Sequence, residues 1–152
     1  MTVHDYLDQQ HIWYERLPHA PAYSASRMAQ TLHVPGKNVA KTVLLRTDNG
    51  YVITVLPATH VLDKTRLCQV LGVQNAELAS EAEMEPLFPN CERGVIPPFG
   101  SMFQLPTYVD EALTKDDEII FEDQTHEEAI RMKYRDFEAL EHPRHGTFAQ
   151  HV

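Results

Sequence analysis

Two runs of β-forming residues, Val39-Ala40-Lys41-Thr42-Val43-Leu44-Leu45-Arg46 and Tyr51-Val52-Ile53-Thr54-Val55-Leu56, are separated only by Thr47-Asp48-Asn49-Gly50. A short loop ending in Asn-Gly folds the chain back on itself, because both residues tolerate the positive φ of a tight turn. The chain must therefore contain an antiparallel pair. Helix signals flank it. Thr2 caps a segment from Val3 to Gln10 with apolar residues at helical spacing, and a strand is expected at about His11 to Leu17. Ser24 caps a helix bearing Met28, Ala29 and Leu32 that stops before Pro35-Gly36. Asp63 opens another, closed by Gly72; Ser80 and Glu83 form a capping box for a third, closed by Pro89. Strands are expected near Thr107–Val109, Glu118–Glu122 and Ala129–Met132, and a last helix from Tyr134 to Leu140, with a loosely held tail after His142. Strands and helices alternate without steady βαβ units. The pattern predicts an α+β fold, a mixed and largely antiparallel sheet or partial barrel surrounded by helices.

The 152 residues contain no repeat, low-complexity tract or Gly/Ser linker, so one domain over 1–152 is expected, with its core at about 10–140. A chain of that length buries roughly 70% of its unfolded surface, enough for a core without staples. Cys68 and Cys91 are far apart and outside any CxxC or Cys/His cluster, so neither a disulfide framework nor a zinc site is expected. The acidic start of the chain does not read as a signal peptide, and no run of about 18 apolar residues occurs. A soluble, cytoplasmic protein with no membrane partner is the expectation. The net charge of −9 argues against gripping nucleic acid mainly through phosphates. The charge is uneven, however: Arg27, Lys37, Lys41 and Arg46 occur without an acid between Ser24 and Arg46, whereas Asp110 to Glu128 holds nine acids and one lysine. Two solvated faces, or one electropositive patch on an acidic body, both fit.

Alternation along the first hairpin strand puts Lys41 with Val39, Val43 and Leu45, the more apolar set of side chains. A lysine there snorkels outward, pairs with a carboxylate, or meets a polar ligand in a cavity. The segment Gly94-Val95-Ile96-Pro97-Pro98-Phe99-Gly100 is unusual, since two prolines stiffen a loop with glycine at both ends. It reads as a turn between elements or as a loop that approaches a ligand closely. Ser101 follows it, but no GxSxG elbow is present, which argues against a serine hydrolase. The nine histidines form no HExxH pattern, and neither a P-loop nor GxGxxG occurs, so no metal or cofactor is expected. His19, Tyr23 and His126 are secondary candidates for a pocket wall.

The lysine strand followed by the Gly94–Gly100 loop resembles the YbaK and prolyl-tRNA synthetase-associated editing domain family. His19-Ala20-Pro21-Ala22-Tyr23-Ser24 and Ala129-Ile130-Arg131-Met132-Lys133-Tyr134-Arg135-Asp136-Phe137 extend the likeness over roughly residues 10 to 140. The resemblance implies a trans-acting deacylase that hydrolyses the ester of a small amino acid mischarged on tRNA, of the tRNA(Pro) type. It implies Lys41 as the functional lysine, and Gly94, Ile96, Pro97, Pro98, Phe99, Gly100 and Ser101 as the aminoacyl-binding loop. The implied partners are the aminoacyl-tRNA 3′ end and a synthetase or elongation factor, which reconciles an acidic body with a tRNA substrate. Two rival readings remain open: a non-catalytic aminoacyl- or nucleotide-binding or synthetase-docking module, and a hydrolase of small esters unrelated to tRNA.

Overall fold

The computed structural model describes residues 1–152. The expected hairpin forms β2 (Ala40–Thr47) and β3 (Gly50–Pro57), in register from Ala40 opposite Pro57 to Thr47 opposite Gly50. It sits at the centre of a five-stranded sheet. On the β2 side β5 (Ala76–Leu78) adds antiparallel, and on the β3 side β6 (Thr107–Asp110) and β9 (Arg144–Gly146) add parallel. A second, antiparallel sheet has the order β1 (Tyr14–Pro18), β8 (Glu128–Lys133), β7 (Glu118–Thr125). The two sheets meet at one parallel bridge between Val39 and Ile120. A short pair, β4 (His60–Leu62) with β10 (Ala149–His151), completes the mixed α+β architecture.

The caps place the helices. Thr2 and Asp5 form a reciprocal capping box at α1 (Val3–Gln9), Ser24 caps α2 (Ala25–Leu32), and Asp63 caps α3 (Lys64–Leu71). Ser80 and Glu83 form the predicted box at α4 (Glu81–Leu87), and α5 (Tyr134–Glu141) follows β8 directly. Glu83 does more than cap. Its carboxylate also accepts from Arg46 of β2 at 2.8 Å and Tyr51 of β3 at 2.6 Å, fastening α4 onto the hairpin. These donors, the Ser80 N–H first among them, hold its carboxyl down to about 2. β1 begins three residues later than expected because His11 takes φ 57° after α1 and the Ile12 N–H closes onto the Leu7 carbonyl.

Both faces of the hairpin are packed. Ala40, Leu44, Ile53 and Val55 enter the largest core, where Phe99 makes edge contacts with Phe121 and Phe137 at 5.7 and 5.4 Å. Leu45, Val52 and Leu56 enter a second core with Leu67, Tyr108 and Phe148. As alternation predicts, Lys41 shares its side with buried Val39 and Leu45, although Val43, next to it, is only half-buried; the Ala40/Leu44 side reaches the larger core and also carries Thr42 and exposed Arg46. A third cluster packs α2 through Met28 and Ala29 against Val39 and Ile120.

The tail is not loose. β9 and β10 both join sheets, and Phe148 is fully buried. The latch is Asp110, 1% exposed, whose Oδ1 accepts the N–H groups of Phe148 and Ala149 at 2.9 and 3.0 Å while Oδ2 accepts that of Ala112 at 3.0 Å. A buried carboxylate with three backbone donors is stable where an unpaired one is not. Asp110→Ala strands those donors and should lower unfolding free energy by roughly 2–4 kcal/mol, read from urea denaturation. A loss under about 0.5 kcal/mol would mean that the tail is held by Phe148 alone.

Candidate functional site

Beside β2 the structure opens a cavity of about 390 Å³. Its floor is Ala40 to Leu44 of β2. Tyr23, Ser24, Ala25 and Met28, at the N-terminal end of α2, form one wall; Leu78, Ala79 and Met84, around β5 and α4, form another. Gly94, Val95 and Ile96 close a third side, and Glu122 and His126, from the β7–β8 end, close the fourth. Eleven of the seventeen lining residues are hydrophobic, so the few polar groups set the orientation of any ligand.

Lys41 is half-buried, and its Nζ donates to the His60 carbonyl of β4 at 2.8 Å. Burial lowers its pKa, and no carboxylate is bonded to it. It also borders a neighbouring cavity of about 480 Å³ on the side of Val43 and Leu45. Lys41 therefore borders two hollows. Larger hollows of about 790 and 770 Å³ lie elsewhere, one around Lys37, Asp116 and Lys133 and one around Tyr6, Leu87 and Phe103. Neither contains Lys41 or the Gly94–Ile96 segment.

His126 ties three walls together. Its Nδ1 lies 3.1 Å from the Ala22 carbonyl and 3.3 Å from Glu122 Oε2, its Nε2 lies 3.0 Å from the Arg93 carbonyl, and Tyr23 packs over the ring at 4.7 Å. Both ring nitrogens are occupied by acceptors, so His126 is a brace and not a free base. Gly94 takes φ +84°, which only glycine adopts without strain, and its backbone passes between Glu81 and His126. Burial pushes Glu122 up to about 7, with His126 opposing and Glu92 adding to the rise.

The site candidates separate cleanly. Lys41, Gly94, Ile96, Tyr23 and His126 share this cavity. Pro97, Pro98, Phe99 and Gly100 are buried but lie outside it. Phe99 is the hub of the largest core, and a Cβ at Gly100 would collide with the Leu105 carbonyl oxygen and the Thr107 hydroxyl. Ser101 bonds Glu141 through both N–H and hydroxyl, at 3.1 and 2.6 Å, beside the α1–α4 hollow. His19 bonds the Ala20 carbonyl at 2.7 Å, away from the lining. The half of the loop read as ligand-binding from its prolines is the part that anchors it. Glu122 was hidden in the acidic run; the apolar run Ile119-Ile120-Phe121 before it was the available signal of an inward environment. Of the two charge readings, a single electropositive patch is the less supported, since Arg46 is paired with Glu83 and Lys41 donates to a carbonyl on another face of the hairpin.

Fold and cavity together define an α+β domain with a largely apolar cavity between a strand lysine and the Gly94–Ile96 segment. The chain belongs to the aminoacyl-tRNA editing domain family, whose pattern matches residues 19–140. Over 57 residues it is 32% identical to the proline–tRNA ligases of two strains of Xylella fastidiosa, a stretch covering 38% of this chain and 10% of each ligase. The chain thus matches about a tenth of the length of those relatives. Among solved structures, a hypothetical protein superposes with a TM-score of 0.87 at 16% identity, covering 97% of this chain and 99% of that one. A candidate trans-editing enzyme for prolyl tRNA synthetase superposes with a TM-score of 0.81 at 20% identity, covering 97% and 94%. At these identities the likeness establishes the fold. No helix is long and apolar enough to cross a membrane.

Two outcomes follow from the geometry. Gly100→Ala should lower stability by about 1–3 kcal/mol in thermal or urea unfolding, because backbone and a bonded hydroxyl must move. Wild-type stability would show that the loop yields there. For Glu122, the folded carboxyl keeps its proton above the ordinary value of 4.5, so the native state loses stability as pH rises from 4.5 to about 7 and no further. Glu122→Gln lacks this titration. Relative to wild type it should gain on the order of 1–3 kcal/mol across that window, and an unchanged difference between pH 5 and pH 8 would contradict the assignment.

Proposed function

We propose that the chain is a trans-acting aminoacyl-tRNA deacylase that hydrolyses the ester of a small amino acid wrongly attached to tRNA, with tRNA(Pro) as the first candidate. One observation carries the reading: in a chain of the editing family, Lys41 and the Gly94–Ile96 backbone line one cavity of about 390 Å³. That volume suits a small aminoacyl group at the lower end of ligand sites. The shared sequence with proline–tRNA ligases supports the choice of tRNA.

In this reading the 3′-terminal ribose and phosphate approach Lys41, whose ammonium exchanges the His60 carbonyl for substrate oxygens. The N-terminal end of α2, at Ser24 and Ala25, adds a positive backbone end to the same rim. The aminoacyl side chain meets Met28, Met84 and Ile96. Water attacks the ester carbonyl carbon, the bond to the ribose oxygen breaks, and the ribose hydroxyl leaves with a proton. No serine, cysteine or free histidine is arranged as a nucleophile–base pair, so rate comes from holding water and ester together and from stabilising the oxyanion. A synthetase or elongation factor supplies any further grip on the tRNA.

The test is deacylation of a panel of mischarged tRNAs by wild type and Lys41→Ala. A loss of about 10²-fold or more is expected for the variant, with its circular dichroism unchanged. Full turnover on every substrate would remove Lys41 from the mechanism. Binding without turnover in the wild type would make the chain a binding module, and activity on free aminoacyl esters alone would make it a small-ester hydrolase.

A further inference from the structure

Glu122 is the only carboxylate lining the cavity, and the protein leaves it half-satisfied. Its Oε2 faces His126 Nδ1 at 3.3 Å, a long contact shared with the Ala22 carbonyl, and no hydrogen bond from the protein reaches Oε1. The side chain is only 16% exposed. Burying a carboxylate with an incomplete partner is costly, and sequences retain such a group where a ligand supplies the missing charge. The neighbouring charges do not complete it. Arg93 is drawn away to Glu81, Glu92 is itself an acid that accepts the His126 N–H, and Tyr23 offers a ring face to His126.

We propose that Glu122 receives the α-ammonium of the aminoacyl group, so that the cavity selects esters whose α-amine is free over those whose amine is acylated. The inference rests on the deacylase reading and adds the feature of the substrate that is recognised. An aminoacyl 3′ end carries a cation beside the ester and an anion across the ribose. The cavity carries the matching pair, Glu122 on β7 and Lys41 on β2. With Glu122 holding the ammonium and Lys41 the nucleotide side, the ester between them is fixed at both ends without any group forming a covalent bond to it. The brace explains how the carboxylate is aimed. Ala22 and Arg93 fix the His126 ring, the ring fixes Oε2, and Oε1 is left to the ligand. Apolar walls strengthen the ion pair by excluding water.

The test compares two pairs of probes on the full chain. Binding is measured by calorimetry with 3′-alanylamino-3′-deoxyadenosine, whose amide resists hydrolysis, and with its N-acetyl form. Turnover is measured with alanyl-tRNA and N-acetylalanyl-tRNA. Wild type should prefer the free amine at least about tenfold in both assays, the size of one charge-assisted hydrogen bond. Glu122→Gln should bring the preference within about twofold, read as the ratio between the two forms. Glu122→Asp, which keeps the charge on a shorter stem, should retain part of it and guards against a loss caused by misfolding. The inference is overturned if Glu122→Gln keeps the tenfold preference or if wild type has none. Binding of the free-amine analogue without hydrolysis of alanyl-tRNA would sink the deacylase reading alone. Hydrolysis without amine preference would sink the Glu122 assignment alone.

Discussion

The site depends on β2 being packed on both faces at once. Leu44 points into the large core and Leu45 into the second, and both are almost wholly inaccessible. A strand clamped this way cannot slip register, because a shift of one residue would exchange the two faces and drive Arg46 into a core. Lys41 stands three residues before Leu44, beside Ala40 of the large core and opposite Leu56 of the second, and its side chain is only half-buried. Its backbone inherits the rigidity of the cores. Its ammonium is held by the His60 carbonyl and by no carboxylate, which on the proposed reading leaves it a partner that substrate oxygens can replace.

The acidic run between Asp110 and Glu128 is a set of different solutions to one cost. Asp110 is dry and takes three backbone N–H groups, so its charge becomes the latch for the tail. Asp123 is buried and raised by that burial, and His4 of α1 contacts it at 3.0 Å, tying the first helix to β7. Glu122, one residue earlier, has a contact of 3.3 Å and no more. The β7 ladder is irregular between Glu122 and Thr125. Alternation sends adjacent acids to opposite faces, and because both faces of β7 are covered, one meets α1 and the other the cavity.

Local signals were legible in the chain and remote ones were not. The hairpin, the Ser80–Glu83 box and the stop at Gly72 each depend on residues within a few positions, and each occurs where the spacing predicts. β9 and β10 are three residues long, and their pairing is decided by Asp110 and β4, more than thirty positions away. No pattern inside the tail reports that. The Gly94–Gly100 loop was found by its composition, but composition does not say which half faces a ligand. Phe99 decides it: with its ring in the core, the preceding Gly94–Ile96 segment is carried across the mouth of the cavity and the prolines become its stem. Glu122 was obscured because nine acids in nineteen residues resemble a solvated face until the strand is folded.

The net charge of −9 acquires a role on the proposed reading. A domain that gripped the tRNA body would need a broad cationic surface, yet here Arg46 is neutralised by Glu83, Arg16 by Glu128 and Arg131 by Glu15. Surface pairs of this kind add little to stability, but they remove cations from the field that a polyanion meets. What remains uncompensated by a carboxylate at the cavity is the single ammonium of Lys41. Affinity for duplex phosphates is then low, and the substrate is recognised by what enters the cavity: a short side chain against Met28 and Ile96, and an ester fixed between opposite charges. Discrimination by one methylene in such a pocket amounts to about 1–3 kcal/mol, so the apolar wall sorts amino acids only coarsely. A charge-matched pair sorts on a different property, whether the α-amine is free, and the two criteria together are more selective than either surface alone.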